Sequence, residues 1–156
     1  MYDFITEEGK VNKDLTKQLN NYLADLGVEY VKLHNLHWNV TGLSFKAVHE
    51  YLETLYDETT EYFDAVAEQL RMKGEFPLAS LKDFLANANI KELESKEISV
   101  ENALKVVLED MELLKSEAQA LYNLADEQGE LGLTAELEEH IGHYTKQLWF
   151  IKSMLK

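Results

Sequence analysis

Residues 44–73 read SFKAVHEYLETLYDETTEYFDAVAEQLRMK, and their helical pattern is the main evidence for the fold class. Its inward positions recur every three or four residues, which is the spacing of one face of an α-helix. They are Val48, Leu52, Leu55, Thr59, Phe63, Val66 and Leu70. Ser44 is a residue type favoured at a helix N-cap, and Gly74 and Pro77 interrupt the pattern. The stretch therefore predicts one long amphipathic helix that starts after Ser44 and ends at about Lys73.

The same spacing runs through most of the 156 residues. The other predicted long helices run from about Asn12 to Asn39, closed by Thr41-Gly42, from near Ser99 to about Gln128-Gly129, and from about Thr134 to Met154. A short helix-like stretch, Leu81 to Ala88, lies within the connection 78–97. Such a connection lets neighbouring long helices run parallel, as in ferritin-like bundles. We therefore expect one all-α domain over residues 1–156, a ferritin-like four-helix bundle with a short extra helix between helices two and three.

Composition excludes several classes of protein. The chain has 15 Lys+Arg against 29 Asp+Glu, a formal net charge of −14, which argues against a nucleic-acid binder because phosphate contacts need clustered cations. The absence of cysteine removes disulfide scaffolds, thiolate zinc sites and iron–sulfur clusters, so a metal would have to use His, Asp and Glu. No stretch approaches the roughly 18 apolar residues of a membrane span, and the N-terminus does not resemble a secretory signal. We expect a cytoplasmic protein.

Helix two carries an unusual polar stripe opposite its apolar one. At about 100° per residue, a single face presents four residues of metal-binding type, His49, Glu53, Asp64 and Glu68. Imidazole and carboxylate suit iron and other divalent metals, but a polar stripe on an amphipathic helix also forms an ordinary solvated face. The stripe alone leaves both interpretations open.

Helix one adds His37, a few residues before the turn that folds helix two back. His49 lies a few residues after that turn, so the two imidazoles are expected at similar height and able to share a site. Asp64 and Glu68 form an i, i+4 pair, but about 22 Å of helix separates His49 from Asp64. Two chains related by a two-fold axis would bring the histidines of one to the carboxylates of the other. Two imidazoles and two carboxylates with open positions suit ferrous iron.

A conventional di-iron bundle carries Glu-x-x-His motifs within one chain. The residues three positions before the five histidines are Val31, His34, Lys46, Leu137 and His140. None is glutamate, so an intrachain centre of that type is disfavoured.

One run of spacings resembles a known family. Residues 33–40, LHNLHWNV, are followed by His49, by Tyr56-Asp57-Glu58, and then by Asp64 and Glu68. In the Dps proteins, mini-ferritins named for DNA binding in starved cells, a His-Trp pair is followed at the same spacings by His, Asp and Glu. The whole chain fits that pattern, including the short helix in the connection.

The resemblance implies a ferroxidase and iron-storage protein. It would bind Fe²⁺ at two-fold interfaces of a hollow dodecamer, oxidise it with hydrogen peroxide, store ferric mineral and so limit oxidative stress, with zinc as a substitute metal. The catalytic and metal-binding residues would be His37, His49, Asp64 and Glu68. Glu53 would either assist a second, weaker iron position or remain a solvated carboxylate.

Other residues keep two interpretations. The acidic group at the junction of helices three and four would line the family's three-fold pores or form an ordinary acidic loop; its members are Asp126, Glu127 and Glu130. Of the remaining histidines, His34 is interpreted as structural or as a support for the neighbouring metal ligands, and His140 and His143 are interpreted as structural or surface residues.

The N-terminal segment departs from family members that bind DNA through a basic tail. Its lysines are Lys10, Lys13 and Lys17, against the acidic Asp3, Glu7, Glu8 and Asp14. We therefore expect a homo-oligomer that does not bind DNA. The alternatives are a DNA-protecting Dps protein with little ferroxidase role, and an inert helical oligomer that binds a partner through its acidic surface.

Overall fold

Four long helices pair into two hairpins, α1 with α2 and α4 with α5, in a computed structural model that describes the backbone of residues 7–156 and the side chains of residues 14–156. The elements are α1 (Glu7–Asn39), β1 (Val40–Thr41), α2 (Phe45–Met72), α3 (Leu81–Asn87), β2 (Ile98–Ser99), α4 (Val100–Glu127) and α5 (Leu131–Met154). The all-α, ferritin-like bundle with a short extra helix is confirmed. Most of the N-terminal charges on which the DNA expectation rests lie outside the described side chains.

The helix boundaries differ from the expected ones at two N-termini. α1 begins at Glu7 rather than Asn12, and α5 begins at Leu131 rather than Thr134. Ser44 precedes α2 as predicted, but its φ of 68° is left-handed and its side chain caps nothing. The hydroxyl of Ser99, by contrast, accepts a hydrogen bond from the Asn102 amide and caps α4.

Two short strands, which the helical periodicity did not predict, fix the direction of the crossover. β1 and β2 pair in parallel, with Val40 opposite Ile98 and Thr41 opposite Ser99. Because β2 directly precedes α4 and only residues 42–44 separate β1 from α2, the pairing places the starts of α2 and α4 at the same end of the bundle, and the two helices run parallel. The long connection between α2 and α4 thus lets these two helices run parallel, as expected.

Polar side chains of α1 hold that connection in place. The Leu78 amide donates to Asn20 Oδ1 at 2.8 Å. The amides of Asn89 and Ile90 donate to Asp25 Oδ1 at 2.6 and 2.8 Å. These bonds satisfy backbone groups that would otherwise be buried without partners.

The buried stripe of α2 matches the predicted one at six of its positions and departs at the seventh. Tyr62 is 3% exposed and faces the core, whereas the predicted Phe63 is only partly buried. The Phe63 ring instead packs edge-on against Phe84 of α3, with centroids 5.4 Å apart. A Cβ on Gly27 would lie 3.1 to 3.2 Å from these two rings, so the glycine lets α3 approach α1. None of the described helices is long and apolar enough to cross a membrane.

Candidate metal centre

The turn between α1 and α2 brings two histidines into contact. Gly42, with φ of 122°, lets the chain reverse between the end of α1 and the start of α2. His37 is 8% exposed. Its ring stacks on that of His49, with centroids 3.7 Å apart and an interplanar angle of 11°. The expected proximity of the two imidazoles is therefore present.

Each of these histidines is oriented by the backbone of the other. His37 Nδ1 lies 2.6 Å from the His49 carbonyl oxygen, and His49 Nδ1 lies 2.6 Å from the His37 carbonyl oxygen. A carbonyl only accepts, so both Nδ1 atoms carry the proton and donate it. In the neutral rings the lone pairs are therefore on Nε2. A metal-binding imidazole is commonly oriented in this way by a bond from its other nitrogen.

Aromatic rings surround the pair. Phe45 stacks on His49 with centroids 5.1 Å apart, and the edge of Tyr56 meets His37 at 5.3 Å. His34 stacks on the other side of Tyr56 at 3.8 Å, and its Nδ1 bonds to the Tyr30 carbonyl at 2.7 Å. His34 is thus tied to its own helix, in agreement with a structural role, and the rings limit how the imidazole pair can move.

Glu53 lies one turn after His49, on the same face of α2. The Tyr56 hydroxyl donates to Glu53 Oε1 at 3.1 Å. Desolvation, followed by this hydrogen bond, raises the pKa of Tyr56 above its usual value, which keeps the phenol protonated. One carboxylate oxygen of Glu53 therefore accepts from a neutral donor, and the other remains for another partner.

The two carboxylates of the proposed set lie elsewhere on α2. Asp64 and Glu68 are exposed, and neither forms a hydrogen bond or ion pair within the described part of the chain. Fifteen residues at about 1.5 Å each put Asp64 roughly 22 Å along the helix from His49. In keeping with this separation, residues 14–156 contain no group of three or more His, Asp or Glu side chains placed to hold a metal ion.

One of the three acidic residues at the junction between α4 and α5 forms an ion pair. Glu130 Oε1 contacts Lys73 Nζ at 2.5 Å, so part of its charge is already neutralised within the chain. Asp126 and Glu127 are exposed at the end of α4. Of the three candidate pore residues, these two remain available to solvent.

Charges buried between α1 and α4 were not expected. Asp25 and Glu29 are fully buried, and Lys32 forms an ion pair with Asp110 at 2.9 Å with both side chains under a tenth exposed. Burial, then the neighbouring Asp110, raises the pKa of Glu29 well above its usual value. A signal was present in the sequence, because Asp25 falls three residues after Tyr22 and so lies in register with the buried stripe of α1.

A second buried polar group surrounds His140, which was expected to be structural or on the surface. His140 is fully buried and lies between the Tyr22 hydroxyl, 2.8 Å from Nδ1, and Glu136 Oε1, 2.9 Å from Nε2. Burial lowers the pKa of His140 to about 3, so the ring is neutral at physiological pH. His140 therefore lies in the core and not on the surface.

Comparison with known proteins places this geometry in a family. The family model for the ferritin-like domain matches residues 16–156. Antigen TpF1 of Treponema pallidum is 38% identical over 91% of this chain and 80% of its own length, and its crystal structure superposes with a TM-score of 0.92, covering 94% of each chain. The DNA protection during starvation protein of Listeria monocytogenes is 33% identical over 93% of this chain and 94% of its own.

A third similar protein is described by its structural class. The Dps protein of Vibrio cholerae, called a member of a broad superfamily of ferritin-like diiron-carboxylate proteins, is 26% identical and superposes with a TM-score of 0.89 over 94% of this chain and 92% of its own. The matched region includes α1 from residue 16 onward, all of α2, α4 and α5, and the connection between α2 and α4. From its fold, its His-Trp motif and these relatives, we conclude that the chain belongs to the Dps family of ferritin-like proteins.

Proposed function

We propose that this protein oxidises Fe²⁺ with hydrogen peroxide and stores the ferric product inside a homo-oligomeric shell. The single observation that supports this most directly is the His37–His49 pair, whose backbone bonds leave both Nε2 lone pairs free. Membership in the Dps family supports a role in iron storage or DNA protection in general. The specific activity rests on the residues of this chain.

Each proposed site combines His37 and His49 of one subunit with Asp64 and Glu68 of the partner subunit. The two histidines lie near the start of α2, and the two carboxylates lie nearer its end. An antiparallel two-fold arrangement of two chains brings the start of one α2 next to the end of the other. The lack of partners for Asp64 and Glu68 within the described chain supports this arrangement, because unpaired carboxylates are available to a second subunit. The same symmetry would create two equivalent sites per dimer.

The donor set suits ferrous iron as a substrate. Two imidazole nitrogens and two carboxylate oxygens are borderline and hard ligands, and they leave positions open for an oxidant. Two ferrous ions each give one electron to one peroxide, which takes up two protons and becomes two water molecules. Glu53, one turn after His49 and hydrogen-bonded to Tyr56, would assist the second ion.

The acidic surface would supply the substrate. A net charge of −14 per chain, repeated in a dodecamer, produces a strongly anionic shell that concentrates Fe²⁺. Exposed Asp126 and Glu127 would line the entry pores, while Glu130 is already paired with Lys73. Zn²⁺, which has no redox chemistry, would compete for the same ligands.

A mixed assembly tests the intersubunit site. We would reassemble His37→Ala/His49→Ala chains with Asp64→Ala/Glu68→Ala chains and add peroxide to anaerobic Fe²⁺. Neither variant alone should oxidise iron at the wild-type rate, whereas the mixture should regain activity because some interfaces then contain all four ligands. An Asp57→Ala variant, which changes an exposed carboxylate on the same helix, serves as the matched control. Verified mixed assemblies without recovery would contradict the intersubunit site.

DNA protection is the second candidate, and the name of the Listeria relative favours it. Electrostatic binding to DNA is strongest at low salt, so a gel-shift assay at low ionic strength should retard DNA if this function is present. Given the net charge of −14, we expect no retardation.

A further inference from the structure

Tyr22 and His140 form a buried pair that the proposed iron chemistry does not use. Tyr22 on α1 and His140 on α5 are both fully buried, and the Tyr22 hydroxyl lies 2.8 Å from His140 Nδ1. The Tyr144 hydroxyl lies 2.5 Å from that of Tyr22. The other ring nitrogen of His140, Nε2, is 2.9 Å from Glu136 Oε1. These four side chains form one continuous hydrogen-bonded row from the core to a partly exposed carboxylate.

The chemistry of the groups fixes the direction of the bonds. The His140 ring is neutral because burial lowers its pKa to about 3, so only one of its nitrogens carries a proton. The Glu136 carboxylate accepts a hydrogen bond from Nε2–H, and desolvation, then nearby Glu58, raises the pKa of Glu136 and strengthens it as an acceptor. Nδ1 is therefore an acceptor, and the Tyr22 hydroxyl donates a hydrogen bond to it. Tyr144 then donates to the Tyr22 oxygen.

This arrangement distinguishes Tyr22 from the other tyrosines. Among the tyrosines whose side chains the structure describes, Tyr22 alone has its hydroxyl bonded to an imidazole. Tyr51 donates to the Gln147 amide oxygen, and Tyr122 donates to the Glu138 carboxylate. A phenol that loses an electron becomes a strong acid. It is therefore oxidised most readily where a neutral base lies at hydrogen-bonding distance and can accept the proton. His140 is such a base, and it is sealed from water.

The pair also packs against the helix that carries Asp64 and Glu68. Tyr62 stacks on the His140 ring, with centroids 3.6 Å apart and an angle of 13°. Tyr62 precedes Asp64 by two residues on α2. The stacked rings thus connect the helix that carries Asp64 to the Tyr22–His140 pair.

We propose that Tyr22 is a redox-active residue that donates one electron to oxidising radicals formed when Fe²⁺ meets peroxide. The electron reduces a hydroxyl radical to hydroxide, the phenolic O–H bond breaks, and the proton moves to His140 Nδ1. Glu136 balances the charge of the resulting imidazolium. A further Fe²⁺ ion then returns one electron, the proton moves back from His140, and the phenol is restored with one Fe³⁺ formed. The source of the oxidant, but not the redox activity of the pair, rests on the proposed function.

The test therefore begins without iron. We would oxidise the iron-free assembly with azide radicals, a one-electron oxidant of tryptophan and tyrosine, and record the phenoxyl radical by optical absorbance and by electron paramagnetic resonance of rapidly frozen samples. Tyr22→Phe should lose most of the long-lived phenoxyl signal. The matched control is Tyr144→Phe, which removes a neighbouring buried hydroxyl but keeps the Tyr22–His140 bond, and it should retain the signal.

A second measurement uses the wild-type protein and so does not depend on whether a variant folds. In wild-type protein exchanged into D₂O, the phenoxyl signal should show coupling to one deuteron, the one transferred to His140. A signal of equal size in Tyr22→Phe, or no deuteron coupling in the wild type, would overturn the proposal. A protein that forms this radical with azide but does not oxidise iron would contradict the proposed function and leave the redox pair standing.

Discussion

His37 and His49 each donate their Nδ1 proton to the other's backbone carbonyl, both at 2.6 Å, while their rings stack 3.7 Å apart. Each imidazole is thus held by the backbone of the other residue and packs against the other ring. Either ring is therefore both a proposed ligand and a packing partner of the second ligand. This mutual dependence makes the two positions a single functional unit.

The stacked pair predicts non-additive effects of mutation. His37→Ala and His49→Ala should each lower the initial rate of Fe²⁺ oxidation at least about tenfold, because each removes one ligand and also the ring that packs against the remaining imidazole. The double variant should be little slower than the slower single variant. Stopped-flow measurements with peroxide check this. His34→Ala, one turn earlier on α1, is the control and should retain far more activity; fully additive losses would contradict the coupling.

Removal of the Asp64 or the Glu68 carboxylate should weaken metal binding and leave the stability of the fold almost unchanged. Asp64 and Glu68 are exposed and have no partner within the described chain, so Asp64→Ala and Glu68→Ala should change the free energy of unfolding by no more than about 0.5 kcal/mol. Both should lower the number of Fe²⁺ ions bound per subunit. Equilibrium unfolding and anaerobic titration measure the two quantities. Unchanged iron stoichiometry in both variants would remove these residues from the site.

The buried ion pair between α1 and α4 predicts a large stability effect. Lys32→Ala should destabilise the protein by about 3–5 kcal/mol, because Asp110 would be left buried beside Glu29 without a cation. Denaturant unfolding gives this value. The control is Lys105→Ala, which breaks an exposed pair with Glu101 and should leave the free energy of unfolding almost unchanged. Similar losses of stability in Lys32→Ala and Lys105→Ala would show that burial of an ion pair does not determine its contribution to the free energy of unfolding.

Glu117 predicts a pH dependence of stability. Burial, then its contact with Asp25, raises the pKa of Glu117 to about 9 in the folded state, whereas in the unfolded chain the pKa returns to its ordinary value. Between these two values the folded state holds a proton that the unfolded state has lost, so this group's contribution to stability falls as pH rises towards 9. Glu117→Gln should flatten the decline from pH 5 to pH 9 in thermal unfolding. An unchanged slope would mean that Glu117 is ionised in the native state.

Helical periodicity predicted the bundle because each long helix must bury one stripe, and the spacing of apolar residues shows which one. Periodicity predicted the wrong buried residue where two neighbouring aromatic positions both fit that stripe. Tyr62 rather than Phe63 faces the core because its ring stacks on His140, whereas α3 provides Phe63 with the Phe84 ring. Both contacts join residues far apart in sequence, so no local pattern distinguishes the two aromatic positions.

Residue types within a few turns of each other are sufficient to predict the helices, the crossover and the spacing that brings His37 and His49 to one turn. They also indicate that Asp64 lies too far along α2 to reach those histidines, because the rise per residue of a helix is fixed. The free nitrogen of each ring, and the identity of the buried carboxylates, follow only from the folded structure. Those properties depend on atoms contributed by different helices, and the energies of hydrogen bonding and desolvation are set by that packing.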